Sequence, residues 1–413
     1  MLPKTMLTSL NFLADTWWFA ATRMTPLQVQ QLAKQRAKQG FTAIQLVAAF
    51  PPEVAPTSAQ AANTSGWPLD NNNQINQSYF ADLDKKIAAI IDAKLTPIIY
   101  GSWGNHIDSI GVETMCHIWQ ELIDRYSSLE VVWCVCGEVD LPPAATTLQG
   151  FPFNTVIGSM LRKLLRPFKN MVVLSTHWQT IRLEEWNRVG EYIAAHDPHH
   201  RPIIIHPHMN STARQLFPQA QWLSANSMQS GHSRSRLAWL HRTATAAQTT
   251  SDPTINLEPW YEGIGGDFGS QLQRQAFWVS MLSGCLSYAY GAQGLWNMNK
   301  PGESFLGHWG STDWRTAAAA PGAEQIGKAA TWLREQNWFG TLQPVPLTAA
   351  QLETILEQPI TAITPTGEQL LYLPTHSNFT KPNARFFDPT TMQELPQTEL
   401  KTPDCIVLLP DSV

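Results

Sequence analysis

Leu95-Thr-Pro-Ile-Ile-Tyr-Gly-Ser-Trp103 and Glu130-Val-Val-Trp-Cys-Val-Cys136 are two short apolar runs that decide the fold. Both are rich in residues typical of buried β-strands. Between them, the segment Glu113–Ser127 has the apolar spacing of an amphipathic helix. Two neighbouring strands joined by a helix run parallel, because the helix returns the chain to the edge of the sheet where it started. The unit therefore predicts a parallel sheet covered by helices.

The same alternation of strand and helix extends over about residues 12–338. The other predicted strands are Phe12–Ala20, Phe41–Phe50, Pro202–Pro207, Trp222–Gln229, Thr254–Glu258 and Cys285–Tyr290. Eight strands with helices between them predict a (β/α)₈ TIM barrel of the α/β class. An open, doubly wound sheet is the competing fold, but no glycine-rich phosphate loop follows an early strand. We expect the barrel to occupy residues 1–340, with an insertion around residues 141–180.

The character of the chain changes after residue 340. All 17 tryptophans lie between Trp17 and Trp338, and short β-type runs replace the helical spacing. The runs are Thr361–Thr364, Gln369–Leu373, Ala384–Phe387 and Cys405–Leu409. This pattern predicts that residues 341–413 form a small antiparallel β-sandwich domain packed on the barrel.

Composition excludes several classes of protein. The 413 residues include 28 basic and 33 acidic side chains, and the net charge of −5 does not suit a nucleic-acid or membrane-surface binder. No apolar run approaches the ~18 residues of a membrane span, and the first residues lack a signal-peptide core. We expect a soluble protein, cytoplasmic as given, and periplasmic or secreted if an export signal has been trimmed. The five cysteines favour buried free thiols over disulfides. The sequence does not indicate the oligomeric state.

Carboxylates follow two strands that lie across the predicted barrel from each other. Glu138 follows the fourth strand and Glu258 the seventh. Functional side chains of such barrels gather at the C-terminal ends of the strands. Glycoside hydrolysis needs two carboxyl groups, one to protonate the leaving oxygen and one to attack the anomeric carbon or activate water. We therefore predict that Glu138 and Glu258 are catalytic, and that Asp140 and Glu262 hold loops or orient this pair.

A larger set of side chains at the strand ends is expected to bind a carbohydrate substrate. Aromatic faces can stack on the C–H faces of sugars, while amide, imidazole and hydroxyl groups bind their hydroxyls. The set comprises Asp15, Trp17, Gln45, Trp103, His106, His206, His208, Gln229, His232, Trp260, Tyr261, Tyr290 and Trp296. Trp119, Trp239 and Trp332 fall within helical patterns, and we expect them in the core.

Two alternatives to a carboxylate-based glycosidase remain open. The pair His206-x-His208, with His106 and His232, has the donor types of a metal-dependent hydrolase. However, the first strand ends in Asp15-Thr-Trp17 rather than His-x-His, and no metal or cofactor is predicted. The other alternative is a non-catalytic carbohydrate-binding protein on the same barrel.

The order of the motifs resembles that of the apiosidase-like glycoside hydrolases. The matching residues are Asp15-Thr-x-Trp18, Gly40-Phe41, Ile44-Gln45, Trp103-Gly104, Val132-Trp133, Gly137-Glu138, His206-Pro207, Met228-Gln229-Ser230-Gly231-His232, Glu258-Pro259-x-Tyr261-Glu262 and Tyr288-x-Tyr290-Gly291-x-x-Gly294-x-Trp296. In that family, long labelled a domain of unknown function, the barrel is often followed by a small β domain with a collagen-binding label. The segment Ala384-Arg-Phe-Phe387-Asp388-Pro389 resembles this second domain. We do not transfer the collagen-binding label to this chain.

The resemblance implies a mechanism as well as a fold. It implies an acid/base carboxylate after the fourth strand and a nucleophilic glutamate after the seventh, which carry over onto Glu138 and Glu258. The expected activity is then retaining hydrolysis of a glycosidic bond in a plant or bacterial glycan or oligosaccharide. The family usually has Gly-Gly-Asp at the first position, whereas this chain has Cys136-Gly137-Glu138. Glu138 and Asp140 therefore remain alternatives for the acid/base.

Overall fold

The computed structural model describes residues 4–141, 176–248, 252–376 and 379–410. Its main sheet contains eight parallel strands. Strands β1 to β8 are Leu13–Thr16, Ala43–Phe50, Thr96–Ser102, Val132–Cys134, Ile203–Ile204, Asn226–Met228, Thr254–Asn256 and Ser287–Tyr290. Their order is β5-β4-β3-β2-β1-β8-β7-β6, so the first and last strands in sequence are neighbours. Between β5 and β6 the amide of Ser224 donates to the carbonyl of Ile203 at 2.8 Å, which brings the sheet close to a closed barrel. The predicted TIM barrel is confirmed.

Helices surround this sheet. In chain order, helices α1 to α13 are Lys4–Leu10, Ala20–Arg23, Pro26–Lys38, Gln77–Asp92, Ile107–Ile110, Val112–Tyr126, Thr176–His196, Ala213–Leu216, Arg236–Ala247, Ser270–Leu282, Trp314–Ala318, Pro321–Glu335 and Ala349–Glu353. Helix α3 shows how local sequence sets a boundary: Thr25 and Gln28 form a capping box, and Pro26 occupies the first turn. Helix α6 buries Met115, Trp119 and Leu122, which recur every three to four residues and so face the sheet.

The strands are buried on both faces. Polar groups that must reach solvent or a substrate are therefore found at the strand ends. Every residue of β2 is buried, because the barrel interior lies on one side and helices on the other. The predicted insertion around residues 141–180 falls almost entirely outside the described residues. Helix α7 begins at the end of this stretch.

A second, separate sheet lies near the C-terminus. Its strands β9 to β13 are Gln343–Pro344, Ile360–Ile363, Gln369–Leu373, Arg385–Phe387 and Cys405–Leu409. They pair antiparallel in the order β12-β13-β11-β10-β9, which confirms the predicted antiparallel module. The described strands make one sheet; the sandwich and the domain boundary at residue 340 remain predictions.

A buried ion pair joins this sheet to the barrel. Arg274 of α10 donates to both carboxylate oxygens of Asp404, at 2.8 and 2.6 Å. The hydroxyl of Tyr372 donates to the same carboxylate at 3.2 Å. The ring of Trp332 lies 5.1 Å from that of Phe387, which adds an apolar contact to the interface. Of the three helical tryptophans, Trp119 is fully buried in the core, as predicted, whereas Trp239 and Trp332 are only partly buried and pack against the core.

The remaining sequence predictions concern cysteines and membrane spans. All five cysteines are free and buried, as predicted. Across the described ranges, no helix combines the length and hydropathy that crossing a bilayer requires.

Candidate active site

Glu138 stands just beyond the C-terminal end of β4. Its backbone lies in the left-handed region, with φ +43°, and its side chain accepts a hydrogen bond from Trp103 Nε1 at 3.2 Å. Gly137 makes this contact possible, since a Cβ there would come within 2.2 Å of the Trp103 ring. The Glu138 side chain is 14% exposed, so the carboxyl group reaches the barrel mouth without being freely solvated.

Glu258 follows β7 and is held by a histidine of defined tautomer. His232 Nδ1 faces the backbone N–H of Tyr261 at 3.4 Å, and its Nε2 lies 3.0 Å from Glu258 Oε1. Because Nδ1 accepts from the amide, Nε2 carries the proton and donates to the carboxylate. This arrangement stabilises the ionised form of Glu258.

Gln229, at the end of β6, connects the two carboxylates. Its single Nε2 atom lies 3.2 Å from Glu138 Oε1 and 2.9 Å from Glu258 Oε1. The two carboxylate oxygens therefore cannot be more than 6.1 Å apart, the sum of these distances. The two glutamates, which were predicted from their strand-end positions, thus lie face to face. A glycosidic bond located between them would contact both.

The environments of the two carboxyl groups move their pKa values apart. Burial, then the nearby charge of Glu258, raises the pKa of Glu138 to about 8. Burial acts in the same direction on Glu258, but the hydrogen bond and charge of His232 outweigh it and lower the pKa of Glu258. At neutral pH the arrangement therefore holds one protonated and one ionised carboxyl group.

Two histidines after β5 border the same space. His206 is fully buried, its Nε2 lies 3.7 Å from Glu258 Oε2, and burial lowers the pKa of its ring to about 4. His208 Nε2 lies 3.7 Å from Glu138 Oε1. Asp140 accepts from the His208 amide at 2.6 Å and from the Ser211 hydroxyl at 2.7 Å. Asp140 thus holds the loop that carries His208, and it does not face Glu258 itself.

Several buried polar atoms at this point have no hydrogen-bond partner within the described protein. They are both ring nitrogens of His206, Oε1 of Gln229 and Oε2 of Glu258. An unpaired buried polar group costs about 1–3 kcal/mol, so such atoms are rare unless a bound molecule or solvent satisfies them. Three residues in or beside the carboxylate pair carry such atoms, which makes this location the candidate functional site.

Aromatic rings form the wall behind the carboxylates. Trp18 lies edge-on to Tyr100 and Trp103, with ring centroids 4.8 and 5.2 Å away, and its Nε1 donates to the Tyr261 hydroxyl at 3.1 Å. Of these residues, Trp18 and Tyr100 were absent from the predicted set. Their signal was present: Trp18 belongs to the quoted motif Asp15-Thr-x-Trp18, and Tyr100 precedes the end of a predicted strand.

Residues of the first two strands form a buried polar network. Asp15 and Trp17 are fully buried, and Asp15 accepts from Trp17 Nε1 at 2.8 Å and from Arg36 Nε at 2.6 Å. Gln45 is also buried, with Nε2 on Thr16 Oγ1 at 2.7 Å. These positions argue against direct sugar contact by Asp15, Trp17 and Gln45.

Other predicted ligands are likewise engaged within the protein. His106 Nε2 lies 3.0 Å from the Pro51 carbonyl, Trp260 Nε1 donates to the Ser233 carbonyl at 2.9 Å, and Trp296 packs 6.4 Å from the Tyr261 ring. The Tyr290 hydroxyl donates to Glu262 Oε2 at 2.6 Å, and the Gly322 amide donates to the same carboxylate. Glu262 therefore anchors the start of α12, as expected for a loop-holding residue.

Three mouth residues come from segments that sequence reasoning did not select. Glu53 follows β2, and His308 and Trp309 follow β8. Trp309 Nε1 donates to Glu53 Oε1 at 2.6 Å, and Glu53 is among the groups that raise the pKa of Glu138. No motif or apolar spacing distinguishes these positions in the sequence.

The histidines do not converge as a metal site would require. Within residues 4–141, 176–248, 252–376 and 379–410, no group of three or more His, Cys, Asp or Glu side chains is placed to hold a metal ion. His106 in particular is turned to the Pro51 carbonyl, away from His206 and His208.

A parallel barrel whose C-terminal mouth presents two facing carboxylates, one raised and one lowered in pKa, is the arrangement of a glycoside hydrolase. The model of the apiosidase-like catalytic domain matches residues 8–340. The chain belongs to this family and is a glycosidase.

Solved structures share the fold of this chain. A glycoside hydrolase shares 16% identity with a TM-score of 0.74, over 97% of this chain and 92% of its own. A glycoside hydrolase family 5 protein from Bacteroides vulgatus shares 15% identity with a TM-score of 0.73, over 97% and 89% of the two chains. At these identities the likeness concerns the fold. No curated protein matches the sequence.

Proposed function

We propose that this glycosidase acts with retention of configuration, with Glu138 as acid/base and Glu258 as nucleophile. The observation that carries the proposal is the bridging of both carboxylates by Gln229 Nε2, which limits the separation of their oxygens to 6.1 Å. Retaining enzymes hold the two groups about 5–5.5 Å apart, whereas inverting enzymes need ~6.5–9.5 Å to admit a water. The 6.1 Å limit applies to the two Oε1 atoms bridged by Gln229, and this closeness favours the shorter, retaining separation.

The protonation states suit these roles. A general acid must hold its proton at working pH, and burial with the neighbouring Glu258 raises the pKa of Glu138 to about 8. A nucleophile must be ionised, and the hydrogen bond from His232 offsets the burial of Glu258 and lowers its pKa. Asp140 is already engaged by the His208 amide and the Ser211 hydroxyl, which favours Glu138 as the acid/base.

The hydrogen bonds also select the attacking oxygen of Glu258. Its Oε1 accepts from both Gln229 and His232, while its Oε2 accepts from no described protein group. In the proposed reaction Oε2 forms a bond to the anomeric carbon as the glycosidic C–O bond breaks and Glu138 protonates the leaving oxygen. Glu138, now ionised, then takes a proton from water, which attacks the anomeric carbon and releases Glu258. No metal or cofactor takes part in these steps.

The substrate class follows from the walls of the site. Imidazole and amide groups such as His208 and Gln229 suit sugar hydroxyls, and the Trp103 indole closes one side. We propose a carbohydrate as the binding partner, with the scissile bond in a plant or bacterial glycan or oligosaccharide.

The test is a hydrolysis screen with 4-nitrophenyl glycosides and plant and bacterial glycans, followed by NMR of the first product formed. We expect turnover and a product of unchanged anomeric configuration. Glu258→Gln should lower kcat/KM by at least about 10⁴-fold, because the covalent step is lost. Glu113→Gln, at a site whose side chain is 81% exposed, is the matched control.

Two results would contradict the proposal. An inverted first product would exclude Glu258 as nucleophile. Glycan binding without any turnover, unchanged in Glu258→Gln, would instead indicate a carbohydrate-binding protein on this barrel.

A further inference from the structure

A second polar cluster lies at the barrel mouth, beside the carboxylate pair. It joins Glu53, from the segment after β2, to His308 and Trp309, from the segment after β8. Trp309 Nε1 donates to Glu53 Oε1 at 2.6 Å, and His308 Nε2 lies 2.9 Å from Glu53 Oε2. We infer that these three residues form a sugar-recognition subsite, in which Trp309 stacks on a sugar ring and Glu53 accepts a hydrogen bond from a hydroxyl. The inference rests on the proposed glycosidase function.

The cluster adjoins both members of the catalytic pair. The ring of Trp309 lies 6.1 Å from that of His232, which donates to Glu258. On the other side, the charge of Glu53 acts on Glu138 strongly enough to be among the groups that raise the pKa of Glu138. A sugar bound across Glu138 and Glu258 would therefore meet this cluster.

Glu53 has unused capacity to accept hydrogen bonds. Its side chain is only 9% exposed, yet Oε2 has no hydrogen-bond partner in the described protein, although His308 Nε2 lies 2.9 Å from it. A carboxylate buried to this extent is normally hydrogen-bonded on both oxygens. The backbone of Glu53 also has φ +61°, a conformation that is unfavourable for a residue with a side chain and that is concentrated at functional sites.

Trp309 differs from the other tryptophans of the mouth in its accessibility. Trp18 and Trp103 are buried in the wall, whereas Trp309 is partly exposed. Its indole can offer an apolar face to sugar C–H groups while its N–H stays on Glu53. His308 positions the Glu53 carboxylate from the other side, at 2.9 Å.

Charge limits what this subsite accepts. The charges of Glu53 and Glu258 both act on Glu138. A sugar that carries its own carboxylate would be repelled by these two charges, whereas hydroxyls are good donors to a carboxylate. The subsite therefore favours an uncharged sugar over a uronic acid.

The experiment compares Trp309→Ala, Trp309→Phe and Glu53→Gln with the wild type. The probes are 4-nitrophenyl glycosides of neutral pentoses and hexoses, and 4-nitrophenyl glucuronide. We expect Trp309→Ala to raise KM about tenfold or more with a smaller change in kcat, and Trp309→Phe to lie between it and the wild type. Trp239→Phe, on the outer helix α9, is the matched control and should leave KM unchanged.

Glu53→Gln has a readout that a merely structural residue would not move. It should raise KM and also shift the basic limb of the pH profile to lower pH, since a charge that raises the pKa of Glu138 is removed. Glu53→Gln should also reduce the difference in kcat/KM between the neutral glycosides and the glucuronide. Unchanged KM and pH profiles in all three variants would overturn the subsite and leave the proposed function intact.

A second measurement separates the two hypotheses if the wild type hydrolyses none of the glycosides. That result would contradict the proposed function, and the subsite is then tested by tryptophan-fluorescence titration with xylo-, manno-, cello- and arabino-oligosaccharides. Binding to the wild type that is lost in Trp309→Ala supports the subsite. Absence of binding to the wild type, or binding that Trp309→Ala retains, overturns it.

Discussion

Two buried acidic groups at strand ends of the same barrel differ in their hydrogen-bond partners. Asp15, at the end of β1, accepts from its own Thr16 amide, from Trp17 Nε1 and from Arg36 Nε, and its opposite charge, Arg36, is equally buried. Glu258, at the end of β7, faces a second carboxylate, and its Oε2 accepts no hydrogen bond from the described protein. Both carboxylate oxygens of Asp15 accept hydrogen bonds from the fold, whereas one oxygen of Glu258 remains available to react.

The contrast separates two kinds of buried carboxylate. A buried carboxylate with a complete set of donors and a buried opposite charge serves the fold. A pair of carboxylates that share one donor, as Glu138 and Glu258 share Gln229, cannot both ionise easily, so one keeps its proton. Strand-end position alone does not distinguish the two kinds; the partners do.

The largest effect that tests this contrast is expected from Glu138→Gln. The amide cannot donate a proton to the leaving group, so kcat/KM should fall by about 10²–10⁴-fold. The loss should be greatest for glycosides with poor leaving groups, and the basic limb that reflects the raised pKa of Glu138, about 8, should disappear. Kinetics over a series of aryl glycosides and pH values provide the measurement.

Asp140→Asn is the comparison variant for this prediction. It should weaken the hold on the His208 amide and lower activity without a dependence on the leaving group. If instead Asp140→Asn showed the leaving-group dependence and Glu138→Gln did not, the two roles would have to be exchanged.

A smaller effect, on stability rather than on activity, is expected at the saturated site. Asp15→Asn leaves the Arg36 guanidinium buried without its opposite charge, and breaking a buried pair in this way costs about 3–5 kcal/mol. Urea unfolding measures the loss in the free energy of unfolding. Glu113→Gln removes one partner of an exposed ion pair with Arg188 and should change it by less than ~0.5 kcal/mol. Equal stability of the two variants would show that Asp15 is not the structural anchor described here.

The same contrast explains which parts of the molecule can be predicted from sequence. The eight barrel strands are local apolar runs, so each is visible without knowledge of its neighbours, and the strand-end rule then places Glu138 and Glu258 at one mouth. Asp15 and Trp17 satisfy the same rule, but Asp15 forms an ion pair with Arg36, 21 residues away in the sequence. This ion pair gives Asp15, and Trp17 bound to it, a structural role. That partner is set by how α3 packs on the barrel, which no local pattern reports.

The loops of the mouth are the other part that the sequence does not predict. Glu53 and Trp309 are 256 residues apart and meet only because the segments after β2 and β8 cross the same opening. Neither segment has the periodicity that reveals strands and helices. Trp18 was missed for a related reason: the motif Asp15-Thr-x-Trp18 contains the residue, but its contacts with Tyr100, Trp103 and Tyr261 depend on the orientation of the chain just after β1.

The smallest effect is expected at the residue that keeps Glu258 ionised. His232→Phe preserves a ring beside Tyr261, whose centroid lies 4.5 Å from that of His232, but removes the N–H that donates to Glu258. Without this bond the pKa of Glu258 should rise, because burial then acts unopposed by its main counterweight. The acid limb of kcat/KM should therefore move to higher pH, while activity on the plateau falls by no more than about tenfold, the weight of one hydrogen bond. His196→Phe, at an exposed position on α7, is the control. An acid limb that stays in place would mean that Glu258 is kept ionised by groups other than His232, of which His206 and Tyr261 are the candidates.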